Sequence, residues 1–149
     1  MVKISTPTEM FELGKKIGAQ LRVGDLLVLN GPLGAGKTLL TQGIGQALGI
    51  TDVTSPTYVI SRIHKAPQGG VSLIHVDAYR LIQSENPIFS LDDLDLDSER
   101  EGAITVIEWG GDLAARLSEE RLEILIDRTN DVREVHAIGH GARWEDFSL

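Results

Sequence analysis

The sequence predicts an α/β protein, a three-layer sandwich around a mixed sheet that is parallel at its centre and extended by antiparallel hairpins. Three observations support this class. An apolar run at residues 26–29 leads into a glycine-rich turn, a helical pattern follows that turn, and two pairs of β-prone runs flank turn-rich segments. The chain has 149 residues, and we expect them to form one domain, residues 1–149.

The first predicted helix spans residues 6–21. Thr6 provides a capping hydroxyl, Pro7 suits the first helical position, and Glu9 completes a capping box. Apolar side chains then recur at helical spacing, at Met10, Leu13, Ile17 and Leu21. This spacing indicates an amphipathic helix with one face towards a core.

The other elements follow from apolar runs and turns. Helices are predicted at residues 37–48, before Gly49, and near residues 112–117. A continuous apolar run, typical of a strand that is buried on both faces, lies at residues 26–29, and residues 103–107 are another candidate for a buried strand. Antiparallel hairpins are predicted at residues 58–63 with 71–76 and at residues 122–126 with 132–138.

Composition and charge exclude several classes of protein. The chain has no cysteine, so neither a disulfide framework nor a thiolate metal site is available. The net charge of -8 is opposite to that of a surface that grips nucleic acid, so we expect no strong direct binding of nucleic acid. Neither a signal peptide nor a membrane span is predicted, which favours a cytoplasmic protein without membrane contact. The acidic stretch at residues 84–101 is either a solvated connection or a docking surface for a basic partner.

Residues 31–38, Gly-Pro-Leu-Gly-Ala-Gly-Lys-Thr, match the phosphate-binding pattern G-x-x-x-x-G-K-[ST] at every fixed position. Glycines let consecutive N–H groups converge on phosphate oxygens, and the following helix adds its positive N-terminal end. Lys37 is expected at the β- and γ-phosphates of ATP, and Thr38 on Mg²⁺. The fold is therefore predicted to be P-loop NTPase-like, with nucleotide contacts from Leu33, Gly34, Ala35, Gly36, Lys37, Thr38 and Leu39.

Two carboxylates are candidates for the chemistry, because transfer of the γ-phosphoryl group also needs an acid near the metal ion and the water. Asp77 follows the predicted strand at residues 71–76 in the manner of a Walker B acid, and Glu108 follows the strand at residues 103–107. Ligands of open α/β sheets gather at the carboxyl ends of strands, so both are expected at one nucleotide. The alternative interpretation of either carboxylate, taken alone, is an ordinary acid at the end of a strand. The occurrence of the two as a pair favours the catalytic interpretation.

Ser55, Thr57 and Trp109 are further candidates. Ser55 and Thr57 belong to a Ser-Pro-Thr segment that either senses the γ-phosphate or forms a plain turn. Trp109 follows Glu108 and either covers the site or belongs to the core. The histidines show no metal-ligand spacing and are interpreted as structural: His64, His75, His136 and His140.

Together these motifs resemble those of one family, the bacterial TsaE (YjeE) ATPases, which take part in making threonylcarbamoyladenosine on transfer RNA. The matching pieces are Asn-Gly-Pro-Leu-Gly-Ala-Gly-Lys-Thr at residues 30–38, Ser-Pro-Thr-Tyr at 55–58, His-Val-Asp-Ala-Tyr-Arg-Leu at 75–81 and Ile-Glu-Trp at 107–109. Residues 9–14, Glu-Met-Phe-Glu-Leu-Gly, also look like the family's first helix. The P-loop alone is widespread, but the ordered combination is specific and covers nearly the whole chain.

The resemblance implies roles for individual residues. Asp77 is implied to be the Walker B-like acid, and Thr38 and Glu108 are implied to hold Mg²⁺. Trp109 is implied to be needed for activity. Met10 is implied to lie near the adenine, and Arg133 near the nucleotide in the last hairpin.

The resemblance also implies partners. Family members work with TsaD, which carries the transferase site, and with TsaB, and their ATP hydrolysis serves turnover of that assembly and is weak without it. Two positions depart from the family pattern. Pro32 stands where an aspartate is common, and Gly111 stands where an acid or amide often follows Glu-Trp.

The leading hypothesis is therefore a Mg²⁺-dependent ATPase that serves transfer RNA modification. A small-molecule kinase shares the P-loop, although only Arg62 and Arg80 lie between the P-loop helix and the acidic stretch to serve an arginine-bearing lid. A nucleotide-dependent binding switch with negligible hydrolysis is the other alternative. A GTPase is disfavoured, because the sequence has no N-K-x-D element and no D-x-x-G after the P-loop.

Overall fold

The computed structural model describes residues 1–54, 61–78, 101–108 and 118–149. Within these residues, seven strands form one sheet: β1 Val2–Ile4, β2 Leu26–Asn30, β3 Ser61–His64, β4 Ser72–Asp77, β5 Ala103–Glu108, β6 Arg121–Asp127 and β7 Arg133–His140. The described helices are α1 Pro7–Gly18 and α2 Lys37–Ala47, and short 3-10 turns lie at Pro67–Gly69 and Ala142–Trp144.

The strand order across the sheet is β1-β7-β6-β2-β5-β4-β3. The four central strands β6, β2, β5 and β4 run parallel to one another. β7 pairs antiparallel with β6, β1 pairs antiparallel with β7, and β3 pairs antiparallel with β4. The α/β class, the mixed sheet with a parallel centre and both predicted hairpins are therefore confirmed.

β2 lies at the middle of the sheet because its apolar run suits burial on both faces. Leu27 and Leu29 share a core cluster with side chains of α1 and α2. Leu26 and Val28, on the opposite face, are also fully buried. The strand that leads into the P-loop is thus fixed on both faces and along both edges, which holds the beginning of the loop in place.

The two described helices pack closely on each other through glycines. A Cβ atom at Gly14 would lie 2.2 Å from the carbonyl oxygen of Leu40, and one at Gly43 would lie 2.1 Å from that of Phe11. The predicted capping box is present, since the Glu9 amide donates to Thr6 Oγ1 over 3.1 Å and the Glu9 carboxylate accepts from the Thr6 amide over 3.2 Å.

The element bounds differ from the predicted ones in a few places. α1 ends at Gly18, before the predicted end at Leu21, because the chain turns there and Leu21 packs on the core from outside the helix. The edge strand β1 was not predicted from the sequence. The predicted helix at residues 112–117, residues 58–60 of the first hairpin and nearly all of the acidic stretch lie outside the described residues.

Within the described part of the chain, no helix has the length and apolar character needed to cross a membrane. The cytoplasmic location expected from the sequence stays a prediction.

Candidate functional site

The P-loop, residues 31–38, connects the carboxyl end of β2 to the first turn of α2. Two of its glycines have backbone angles that side-chain-bearing residues rarely adopt, with φ of 76° at Gly34 and 110° at Gly36. Gly36 also packs tightly on α1, since a Cβ atom there would lie 3.2 Å from Met10 Cγ and Cε. Gly36, a fixed glycine of the motif, is therefore required by conformation and by space.

Lys37 begins α2 and is only 7% exposed. Its Nζ atom donates to the carbonyl oxygens of Gly31 at 2.7 Å and Pro32 at 3.0 Å, which holds the ammonium group inside the turn of the loop. Desolvation by burial lowers the pKa of Lys37 from its ordinary value, and the charges of Glu108 and Asp77 oppose this shift. Both carboxylates are therefore close enough to act electrostatically on the loop lysine.

Asp77 and Glu108 are direct neighbours at the carboxyl ends of adjacent parallel strands. Asp77 pairs with Glu108 across β4 and β5, and Glu108 pairs with Leu29 across β5 and β2. These residues therefore point to the same face of the sheet as the core leucines of β2. The structure brings Lys37, Asp77 and Glu108 close to one another.

His75 was interpreted as structural from the sequence, and the structure places it against Glu108. His75 is fully buried on β4, and its Nε2 atom lies 3.4 Å from Glu108 Oε1, close enough for an ionic contact but without hydrogen-bond geometry. Glu108 Oε1 is buried and accepts no hydrogen bond from the described residues. The position of His75 two residues before Asp77 is the only sequence signal that the two side chains lie on the same face of the sheet. Residues of a strand alternate between its faces, so every second residue shares a face.

A buried anionic oxygen without a donor suits a cation, so the residues present fit a divalent metal ion beside a nucleotide. Thr38 lies in the first turn of α2, next to Lys37, and Glu108 stands at the end of the neighbouring strand. In the part of the chain that the structure describes, no three His, Asp or Glu side chains are grouped to bind a metal by themselves. A metal ion here would complete its shell with phosphate oxygens and water.

A cavity of about 230 Å³ adjoins the loop on the side of α1. Its lining includes Thr6 and Met10 of the first helix region, Gly36 and Leu39 of the P-loop region, and Arg133 at the start of β7. Arg133 Nη2 lies 3.5 Å from the carbonyl oxygen of Gly34, and Nη1 donates to the Asp131 carbonyl at 3.0 Å. Met10 and Arg133, far apart in sequence, therefore line one cavity beside the P-loop.

Arg128 contacts the P-loop and was not found from the sequence. Its Nη1 atom donates to the carbonyl oxygen of Leu33 at 2.9 Å, across a separation of 95 residues. Leu33 itself is 86% exposed at the tip of the loop. No local motif marks an arginine for such a contact, since the contact depends on which strand lies beside β2.

The predicted site residues Ser55, Thr57 and Trp109 lie outside the described residues, as does Gly111. The remaining predicted site residues all lie in or next to the P-loop, at the ends of β4 and β5, or around the cavity.

Comparisons with known proteins find relatives that all belong to one family. Residues 4–135 match the family model described as threonylcarbamoyl adenosine biosynthesis protein TsaE. A Streptomyces coelicolor protein named tRNA threonylcarbamoyladenosine biosynthesis protein TsaE is 45% identical over 141 residues, which are 91% of this chain and 93% of that protein. A Bacillus subtilis protein of the same name is 38% identical over 142 residues, 93% of this chain and 85% of that one. The crystal structure of Bacillus subtilis YdiB superposes with a TM-score of 0.74 at 31% identity, covering 97% of this chain and 87% of YdiB.

Proposed function

Because the chain belongs to the TsaE family, whose members carry a role in threonylcarbamoyladenosine biosynthesis on transfer RNA, we propose that it is a Mg²⁺-dependent ATPase serving that modification. The observation that carries the ATPase proposal is the meeting of Lys37, Asp77 and Glu108 at the carboxyl end of the parallel strands. A phosphate cradle with two adjacent carboxylates has the parts needed for phosphoryl transfer to water.

The chain's own residues have distinct tasks in this proposal. The backbone of residues 33–38 and the Lys37 ammonium bind the phosphates, with Lys37 neutralising their charge. Thr38 and Glu108 would hold Mg²⁺, which would supply neutralisation of charge on the phosphate oxygens. Asp77, beside Glu108, would be the Walker B-like acid near the metal ion or the attacking water. Trp109, next in sequence to Glu108, completes the catalytic set.

The cavity next to the loop is the proposed site for the adenine. Met10 offers an apolar, polarizable surface for an aromatic ring, and Leu39 adds a second apolar wall. Arg133 stands at the same cavity with its guanidinium near the Gly34 carbonyl. Ser55 and Thr57, after the P-loop helix, contact the nucleotide in this proposal.

ATP hydrolysis supports turnover of a complex with TsaD and TsaB, as the family membership suggests. The acidic chain, with its net charge of -8, then acts on the modification through protein partners and not through direct binding of transfer RNA.

The test measures phosphate release and multi-turnover threonylcarbamoyl transfer by the purified chain with TsaD, TsaB, ATP and Mg²⁺. We expect Glu108→Gln to retain ATP binding and to lower hydrolysis by about a hundredfold or more, since a charged metal-site ligand becomes neutral. Glu119→Gln changes the charge equally at an exposed residue and is the matched control.

The outcomes separate the alternatives. Phosphorylation of an added small-molecule acceptor would show a kinase. Unchanged turnover by Glu108→Gln, with its complex intact, would show a binding switch that does not need hydrolysis. Failure of the wild-type chain to stimulate the transfer reaction would remove the proposed role.

A further inference from the structure

We propose that Arg128 is a positioning residue for the P-loop: it holds the Leu33–Gly34 peptide in the orientation that presents the Gly34 N–H to a nucleotide phosphate. The inference rests on the proposed nucleotide binding and adds a residue from a distant hairpin to it. Arg128 acts through the loop backbone and not by touching the reacting groups.

The register of the central strands brings Arg128 to the loop. Asn30, the last residue of β2, pairs with Leu125 of the parallel strand β6. Leu33 and Arg128 each lie three residues beyond that pair, so the two chain segments leave the sheet side by side. The Arg128 Nη1 atom then reaches the Leu33 carbonyl oxygen at 2.9 Å.

The turn that follows β6 fixes the backbone that carries Arg128. Asp127 Oδ1 accepts hydrogen bonds from the Thr129 amide, at 2.7 Å, and from the Thr129 hydroxyl. Bonds of an aspartate to the residue two positions later are characteristic of an Asx turn. These bonds hold the pKa of Asp127 below its ordinary value, because hydrogen bonds from Thr129 favour the ionised carboxylate.

A hydrogen bond to the Leu33 carbonyl determines where the next N–H points. In a trans peptide the C=O of one residue and the N–H of the next point in opposite directions, and the described chain has no cis peptide. With the Leu33 C=O bonded to Arg128, the Gly34 N–H is directed away from the guanidinium. Gly34 has a φ of 76°, and a glycine at such a position rotates its peptide at little steric cost. The guanidinium therefore stabilises the present orientation of this peptide against rotation.

The guanidinium lies directly on the loop. A Cβ atom added to Gly34 would lie 2.9 Å from Arg128 Nη1 and 3.6 Å from its Cζ. Glycine at this position thus gives Arg128 room to reach the carbonyl. Arg133, from the same hairpin, approaches the Gly34 carbonyl at 3.5 Å, so the hairpin contacts two successive peptides of the loop.

The first experiment compares the affinities of wild type, Arg128→Met and Arg22→Met for ADP and for adenosine, both with Mg²⁺. Arg22 is exposed near the start of β2, away from the loop, so Arg22→Met removes the same charge without touching the site. We expect Arg128→Met to bind ADP about three- to tenfold more weakly, the range for loss of an exposed charge-assisted hydrogen bond, and to bind adenosine unchanged. Equal losses for ADP and adenosine, equal losses in both variants, or no loss would each overturn the inference.

A second readout follows the peptide itself. In the ¹H–¹⁵N spectrum of Arg128→Met, we expect the Gly34 amide signal to shift or broaden through exchange between two orientations, and in Arg22→Met we expect it to keep its wild-type position. An unchanged Gly34 signal in Arg128→Met would contradict the inference even if the ADP affinity fell. If wild type itself bound no ADP, the proposed function would fail, and the spectrum would still report on Arg128.

Discussion

At the scale of one residue, Lys37 carries a buried charge, and burying a charge costs free energy. Its ammonium is almost completely buried, and burial disfavours the charged form. The carbonyl oxygens of Gly31 and Pro32 and the neighbouring charges of Asp77 and Glu108 offset that cost. A cation held in this way is poised for an anionic group such as a phosphate, because it keeps its charge where little water screens it.

Gly36 gives a prediction at the same scale. We expect Gly36→Ala to destabilise the fold by about 1–2 kcal/mol, because a left-handed backbone strains any residue with a Cβ atom. It should also weaken ATP binding by at least about tenfold, since its φ of 110° and its contact with Met10 shape the loop. Affinity and urea unfolding are the measurements.

Gly49→Ala is the matched control for that substitution. Gly49 has a φ of 78° and open space around its Cβ position. The same backbone strain should therefore appear in its unfolding curve without any loss of ATP affinity. Equal affinities of the two variants would show that Gly36 serves only the fold.

Single residues could be predicted where a local sequence pattern marks their position. Lys37, Asp77 and Glu108 each stand at a motif position or a strand end, and the structure places them together. Arg128 has no such pattern, because its contact depends on β6 being the neighbour of β2. His75 was interpreted as structural because the histidines show no metal-ligand spacing, and its contact with Glu108 joins two different strands.

At the scale of elements, the contact between α1 and α2 sets the direction in which α2 leaves the P-loop. Gly14 and Gly43 let the helix backbones approach closely, with each glycine facing a carbonyl of the other helix. Main-chain atoms, unlike side chains, cannot rotate away from a clash. A methyl group added at either glycine would therefore displace a whole helix. These contacts lie one to two turns into each helix. They therefore fix the direction of the helix that begins with Lys37.

We expect Gly43→Ala to lower the free energy of unfolding by about 2 kcal/mol or more, the usual cost of overpacking, despite the better helix propensity of alanine. The Cβ atom would lie 2.1 Å from the Phe11 carbonyl oxygen. Gln46→Ala, at an exposed position of the same helix, is the control and should change stability by no more than about 0.5 kcal/mol. Urea unfolding measures both, and equal stabilities would disprove the packing argument.

The elements were predictable to the extent that their signals are local. The capping box of α1 and the apolar run of β2 can each be recognised from a few neighbouring residues. β1 has three residues and no pattern of its own, because its stability comes from pairing Val2 with Val135 and Ile4 with Arg133. Strand order likewise depends on distant pairings that no single segment contains.

At the scale of the whole molecule, the C-terminal turn is joined to the end of the sheet opposite the P-loop. Arg143 Nε and Nη2 donate to the two carboxylate oxygens of Asp25 at 3.0 and 2.8 Å, and Nη2 also donates to the Gln20 carbonyl. The guanidinium stacks 4.1 Å from the ring centre of the buried Trp144. Asp25 comes just before β2, so this contact fixes the strand at its beginning while the P-loop leaves from its end.

We expect Arg143→Met to lower the free energy of unfolding by about 2–3 kcal/mol, because it leaves the buried Asp25 carboxylate without its cation. ATP affinity of the folded protein should stay within about twofold, because the P-loop is at the other end of β2. Lys3→Met removes an exposed ion pair with Glu134 and should cost less than about 0.5 kcal/mol. Thermal unfolding and nucleotide titration of both variants are the measurements, and a large loss of affinity in Arg143→Met would contradict the separation of fold and site.

The central place of β2 has a consequence for the order of events on the ribosome. β2 and the P-loop are synthesised by residue 38, whereas both neighbours of β2, strands β5 and β6, begin only at residues 103 and 121. Until then the nascent chain carries an apolar strand with two unpaired edges, a segment that chaperones bind and proteases reach. A nucleotide bound as proposed would protect the chain only after residue 133 has been translated, because Arg133 and both neighbours of β2 shape its cradle.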